Sequence, residues 1–208
     1  MIGYYNYTVI LTYIGMLTGF AGIAFAHSGD IYSAILCLMG AGVCDMFDGK
    51  IASTKKDRTR EEKLFGIQID SMSDLICFGV LPSLIVYCAF PFSILRSAVC
   101  MLYTLCALIR LSAFNVDETL RQREQDGERK IYTGLPVTTS ALIFPTLYGL
   151  LTVLGQSSGT PATAVTALTA AAFLMPFRLK KPGNTGKAVL LILGLGSLYL
   201  IYLAGGLR

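Results

Sequence analysis

Seven apolar runs leave this chain few ways to fold. They cover approximately Tyr7–Ala26, Ile31–Ala52, Phe65–Phe90, Ser93–Phe114, Leu135–Leu154, Pro161–Phe177 and Ala188–Ala204. Each is long enough, or nearly so, to cross a hydrocarbon core of about 30 Å as a helix. The sixth is short, and Pro161 and Pro176 bracket it. A membrane β-barrel would need short segments of alternating polarity, and these runs do not alternate. The expected fold is therefore all-α, a polytopic membrane bundle of six core transmembrane helices plus a seventh. Charged residues make up only 14% of the chain, against about 25% in soluble domains. Met1 to Tyr7 lacks a basic leader and the run behind it is full length, so no cleavable signal peptide is expected.

Orientation follows from where the basic residues fall. Lys50, at the end of the second run, and Lys55, Lys56, Arg58, Arg60 and Lys63 precede the third run. Arg110, at the end of the fourth run, and Arg121, Arg123, Arg129 and Lys130 precede the fifth, and Arg178, Lys180, Lys181 and Lys187 lie between the sixth and seventh. Of the 17 Lys and Arg residues, only Arg96 and the terminal Arg208 fall elsewhere. Basic connections stay on the cytoplasmic side, so the amino terminus and these three connections are expected there.

Into this apolar chain are set four aspartates. Asp45 and Asp48 are three apart and Asp70 and Asp74 four apart, so on helices each pair shares a face. The first pair ends the second run and the second pair begins the third. One basic connection joins the two runs, so the helices are antiparallel neighbours and all four carboxylates can converge at the cytoplasmic mouth of the bundle. Carboxylates inside a membrane segment are costly and mark function or pairing. Without a cation they would repel one another, and with no His or thiolate beside them they describe a site for a hard divalent ion, Mg²⁺ or Mn²⁺.

Other candidate chemistry is sparse. The one histidine, His27, falls at the opposite end, which argues against zinc or histidine catalysis. Cys37, Cys44, Cys77, Cys88, Cys100 and Cys106 all lie in apolar runs without metal-ligand spacing, and are expected as small buried or lipid-facing thiols. Gly49 and Gly66 flank the acidic pairs, where a missing Cβ lets a ligand approach; helix packing through small residues explains most of the other glycines. Lys55 to Arg60 reads either as a solvated basic face or as a contact for anionic lipid or phosphate. Arg110 reads either as a snorkelling residue or as a ligand for a carboxylate or phosphate. A cation-coupled transporter is the alternative from another class. Such a path should place polar groups across the bilayer, yet Asp30 is the lone acid on the far side.

The pattern Asp45-x2-Asp48-Gly49-x2-Ala52 … Gly66-x3-Asp70-x3-Asp74 resembles the signature of the CDP-alcohol phosphotransferases, membrane enzymes that move a phosphatidyl group from a CDP-lipid to an alcohol. Asp70 to Pro82, Arg110 to Val116 and Thr133 to Pro136 are similar to segments of the phosphatidylserine synthase branch. The resemblance runs from Tyr13 to about Pro145. The chain departs from it at Ser53 and Ala113, where the family has Arg. The spacer Thr54–Phe65 is twelve residues, where eight or nine are usual.

That resemblance implies a single integral membrane domain over residues 1–208, with a catalytic core at 33–155 and the acidic motif at 45–74. It implies transfer of phosphatidyl from CDP-diacylglycerol to L-serine with release of CMP. The same chemistry with glycerol 3-phosphate or an inositol phosphate ranks second. Asp45, Asp48, Asp70 and Asp74 would hold one or two divalent ions, with Asp74 also the catalytic base. Asp48, Gly49, Ala52, Ser53 and Gly66 would receive the CDP-lipid, with Lys50, Lys55 or Lys56 supplying the charge absent at Ser53. Arg110 and Asn115 would bind serine. The implied setting is the lipid bilayer of the cell membrane, with a homodimer and no nucleic-acid partner.

Overall fold

The computed structural model describes residues 3–124, 131–180 and 184–206. Arg129, Lys130, Lys181 and Arg208 of the basic count lie outside the described residues. Helices α1 (Ile10–His27) and α2 (Ile31–Ala52) form an antiparallel hairpin. Gly29 turns the chain between them at φ 87°, and Asp30 caps α2 by accepting from the Ser33 N–H at 3.0 Å. The hairpin closes tightly because small residues line it: a Cβ on Gly15 would lie 3.2 Å from Cβ of Cys44.

The third run starts earlier than its hydropathy suggests. Helix α3 (Arg60–Asp74) begins five residues before Phe65, because Thr59 and Glu62 form a reciprocal capping box. It continues as a π-helical turn (Leu75–Val80) into α4 (Leu81–Cys88), one unbroken rod of 29 residues. Helix α5 (Ile94–Glu124) overshoots its expected end at Phe114 by ten residues. The charged stretch through Arg121 and Arg123 is helix there, not loop, since it holds good helix formers and no Gly or Pro. Helices α6 (Ser140–Val153), α7 (Thr160–Leu174) and α8 (Asn184–Gly206) follow.

The all-α architecture carries one small exception. Residues β1 (Ile131–Thr133) and β2 (Arg178–Lys180) pair antiparallel, Tyr132 opposite Leu179, and clip two connections together. Beside the clip, Gly134 adopts φ 76°, and its N–H donates to the Phe177 carbonyl at 2.6 Å. A Cβ there would meet the Met175 carbonyl at 3.0 Å, so this position needs glycine on two counts.

Among the described residues, four helical segments are long and apolar enough to cross a membrane: Tyr7–His27, Ile31–Ala52, Arg60–Cys88 and Ile94–Leu120. The apolar helices Val137–Val153, Thr160–Leu174 and Ile192–Leu203 are shorter. They pack on the long four, α7 on α5 and α6 against α8 and α2. The centre of the packing is aromatic. Tyr103, fully buried, meets Phe144 edge-on at 5.5 Å and Phe173 at 5.3 Å between centroids. All six cysteines are free.

Candidate metal centre and its surroundings

The antiparallel approach of α2 and α3 brings the two acidic pairs together. One carboxylate oxygen from each of Asp45, Asp70 and Asp74 lies within 4.8 Å of the other two. Oxygens bound at 2.0–2.1 Å in an octahedron stand about 3 Å apart when adjacent and about 4 Å when opposite. The triad therefore needs only slight contraction to hold a hard divalent ion, and an all-oxygen donor set is the right chemistry for one.

Asp48, three residues along α2, is buried at 8% exposure. Its carboxyl lies beside that of Asp70, and Thr12 Oγ1 donates to its Oδ2 at 3.1 Å. Asp48 thus joins the cluster through Asp70. Thr12 also ties down α3, because Ser73 Oγ donates to its carbonyl at 3.4 Å. One residue of α1 braces both acidic helices. No feature of the sequence marks it, since threonines in apolar helices commonly bond their own backbone, as Thr18 does to Ile14 here.

Immediately after Asp74 the helix widens into its π turn, and the cause is Pro82. Proline has no N–H to give the Phe78 carbonyl four residues earlier. That carbonyl instead accepts Tyr103 Oη at 2.8 Å and Ser140 Oγ at 3.3 Å. The Gly79 carbonyl accepts Thr104 Oγ1 at 3.3 Å. The register of Asp74 is thereby fixed from α5 and α6. Widened turns of this kind recur at functional sites.

The remaining expected residues divide in two. Gly49 is exposed, and a Cβ there would meet nothing within 4 Å, so the mouth is open on that side. Ala52 is half-buried on the same helix. Ser53 turns its hydroxyl back onto the Lys50 carbonyl at 2.7 Å. Lys55 is drawn away to Glu62 Oε1 at 2.8 Å, a hydrogen bond that holds its ammonium above the usual lysine range. Lys50 and Lys56 are exposed. Gly66 lies under the guanidinium of Arg58, whose Nη2 would stand 2.6 Å from a Cβ at that position. Arg110 is buried in the second half of α5, with Nε donating to the Leu135 carbonyl at 3.3 Å. Asn115 accepts from Ser71 Oγ at 2.6 Å and donates to Gln68 Oε1 at 3.4 Å, so it clamps α5 to the acidic helix.

Comparison with known proteins is consistent with this geometry. The family model described as CDP-alcohol phosphatidyltransferase matches residues 5–177. The archaetidylserine synthase of Methanothermobacter thermautotrophicus is 31% identical over 140 residues, 67% of this chain and 56% of that protein. The CDP-diacylglycerol–serine O-phosphatidyltransferase of Saccharomyces cerevisiae is 31% identical over 158 residues, 65% of this chain and 52% of that protein. The Bacillus subtilis protein of the same description is 31% identical over 117 residues, 55% of this chain and 64% of that protein. The chain therefore spans about half to two thirds of the length of these relatives.

Proposed function

Because this chain belongs to the CDP-alcohol phosphatidyltransferase family, we propose that it transfers the phosphatidyl group of CDP-diacylglycerol to L-serine. The observation that carries the reading is the convergence of Asp45, Asp70 and Asp74 within 4.8 Å. The serine hydroxyl attacks the lipid-bearing β-phosphorus. A new P–O bond forms, the bond to CMP breaks, and the hydroxyl proton passes to Asp74 as general base. Asp45, Asp48 and Asp70, with Asp74, would hold a divalent ion that neutralises charge on the diphosphate and the departing CMP.

The substrate assignment draws on relatives named as serine phosphatidyltransferases and on the Asp70–Pro82 run. We assign the serine carboxylate to Arg110, which the Leu135 carbonyl already fixes in place. Asn115 acts as a positioning residue, through Ser71. The open face at Gly49 receives the liponucleotide head while the acyl chains remain in lipid. The working unit is a homodimer in the cell membrane, with this mouth towards the cytoplasm.

The test is CMP release by the protein in lipid nanodiscs, with CDP-diacylglycerol and a panel of alcohols. Serine-dependent release that stops on chelation is expected. Release with glycerol 3-phosphate or inositol phosphate but not with serine would overturn the acceptor. Undiminished release in excess chelator would overturn the metal.

A further inference from the structure

The connection between α2 and α3 holds a guanidinium with no counter-ion of its own. Arg58 lies across Gly66, with Nη2 donating to the Glu62 carbonyl at 3.1 Å. Its Nε is buried without an acceptor. Among the described residues no carboxylate pairs with it. Glu62, the obvious partner, is already taken: Oε1 accepts Lys55 Nζ at 2.8 Å and Asn6 Nδ2 at 3.0 Å, and Oε2 accepts the Thr59 N–H at 3.0 Å. A half-buried cation with unmet donors is costly, and such a group in a folded protein calls for an unseen ligand.

Its position says what the ligand is. Gly66, Asp70 and Asp74 are four residues apart and share one face of α3. The guanidinium therefore overlies the face that carries the acidic site, about 6 Å along the axis from Asp70. The other cations nearby are either tied to Glu62, as Lys55 is, or unanchored at the surface, as Lys56 is. A ligand bridging the aspartate-held ion and Arg58 must be anionic and extended over two charged groups. We propose that Arg58 binds the diphosphate of the CDP-lipid, supplying the positive charge that Ser53 does not. This rests on the reading given under Proposed function. It also joins two of the departures from the family pattern, Ser53 and the longer spacer, which lets residue 58 fold back over Gly66.

The competing role is structural, a tie between the connection and the first turn of α3. Steady-state kinetics of Arg58→Gln, Arg58→Lys and Arg60→Gln in nanodiscs separate the two, with thermal midpoints measured alongside. Arg58→Gln should raise the KM for CDP-diacylglycerol roughly ten- to hundred-fold and leave that for serine within about twofold, the cost of one forked, charge-assisted contact. Arg58→Lys should fall between, since it keeps the charge and loses the fork. Arg60→Gln, which removes an exposed charge from the same segment, should match wild type. Calorimetric binding of CDP should weaken in Arg58→Gln by a factor like that in KM, without any turnover.

The proposal is overturned if Arg58→Gln keeps its CDP-lipid KM within about threefold, or if both KM values rise together. It is also overturned if only the thermal midpoint falls, or if Arg58→Lys retains a wild-type KM. Wild-type protein inactive with every alcohol would instead sink the reading beneath it, whereas active wild type with a neutral Arg58→Gln sinks only the role of Arg58.

Discussion

Thr12 couples the first helix to the acidic centre through a single hydroxyl. It donates to Asp48 at 3.1 Å in a place where water has little access. A hydrogen bond to a charged group contributes about 1.5–3 kcal/mol, so Thr12→Val, nearly isosteric, should raise the divalent-ion concentration for half-maximal activity roughly ten-fold or more. Thr12→Ser should restore most of it. A metal titration of the two variants checks this, and identical curves would show the contact to be idle. The aspartates themselves should behave more harshly. Asp45→Asn and Asp70→Asn each remove one of the three converging oxygens and should abolish most turnover. Asp74→Asn should lower kcat more than either KM, as expected for loss of the base. At this scale the sequence was eloquent about charge and silent about support. Four aspartates in apolar runs announce themselves, because nothing cheap explains them. Thr12 and Arg58 do not, since threonine is common in membrane helices and a loop arginine satisfies the positive-inside rule without any further role.

Among elements, the π turn is where local sequence and tertiary structure meet. Pro82 frees a carbonyl, and Tyr103 and Ser140 take it up. Tyr103→Phe should cost about 0.5–1.5 kcal/mol, because Ser140 remains as donor, whereas Tyr103→Phe with Ser140→Ala should cost about 1–3 kcal/mol for the stranded carbonyl. Unfolding midpoints in detergent read the stability. A fall in kcat at constant KM in the double variant would mark a displaced Asp74. The run Asp70 to Pro82 could be recognised from the sequence, but its widening could not, because the donors that permit it come from α5 and α6. Helix ends show the same limit in milder form. The start of α3 is written locally in Thr59 and Glu62, although hydropathy hides it. The overshoot of α5 lies in a stretch whose charges suggest a loop and whose helix propensities do not.

Across the whole molecule, the two ends of the bundle are chemically distinct. At one end, Tyr7 Oη meets Thr54 Oγ1 at 3.1 Å, Asn6 meets Glu62 at 3.0 Å, and β1 pairs with β2. The amino-terminal segment and the three basic connections therefore gather on the side of the acidic centre. At the other end, Arg96 is absorbed internally. Arg96 is buried, with Nη1 donating to the Pro91 carbonyl at 2.6 Å, Nε to Thr163 Oγ1 at 3.4 Å, and its guanidinium 5.2 Å from the centroid of Phe90. A charge so enclosed does not offset the basic connections opposite, and the positive-inside rule counts exposed flanking charge. That these connections share one end was legible for this reason: it depends on a sum over many residues, which no single contact can reverse, and labelling tests which end faces the cytoplasm. In a cysteine-free background, Thr54→Cys and Ser157→Cys, both at exposed positions, should react with a membrane-impermeant maleimide from opposite sides. Ser157 should label in intact cells and Thr54 only after the membrane is opened. Labelling of both in intact cells would mean that the chain does not hold its acidic mouth towards the cytoplasm.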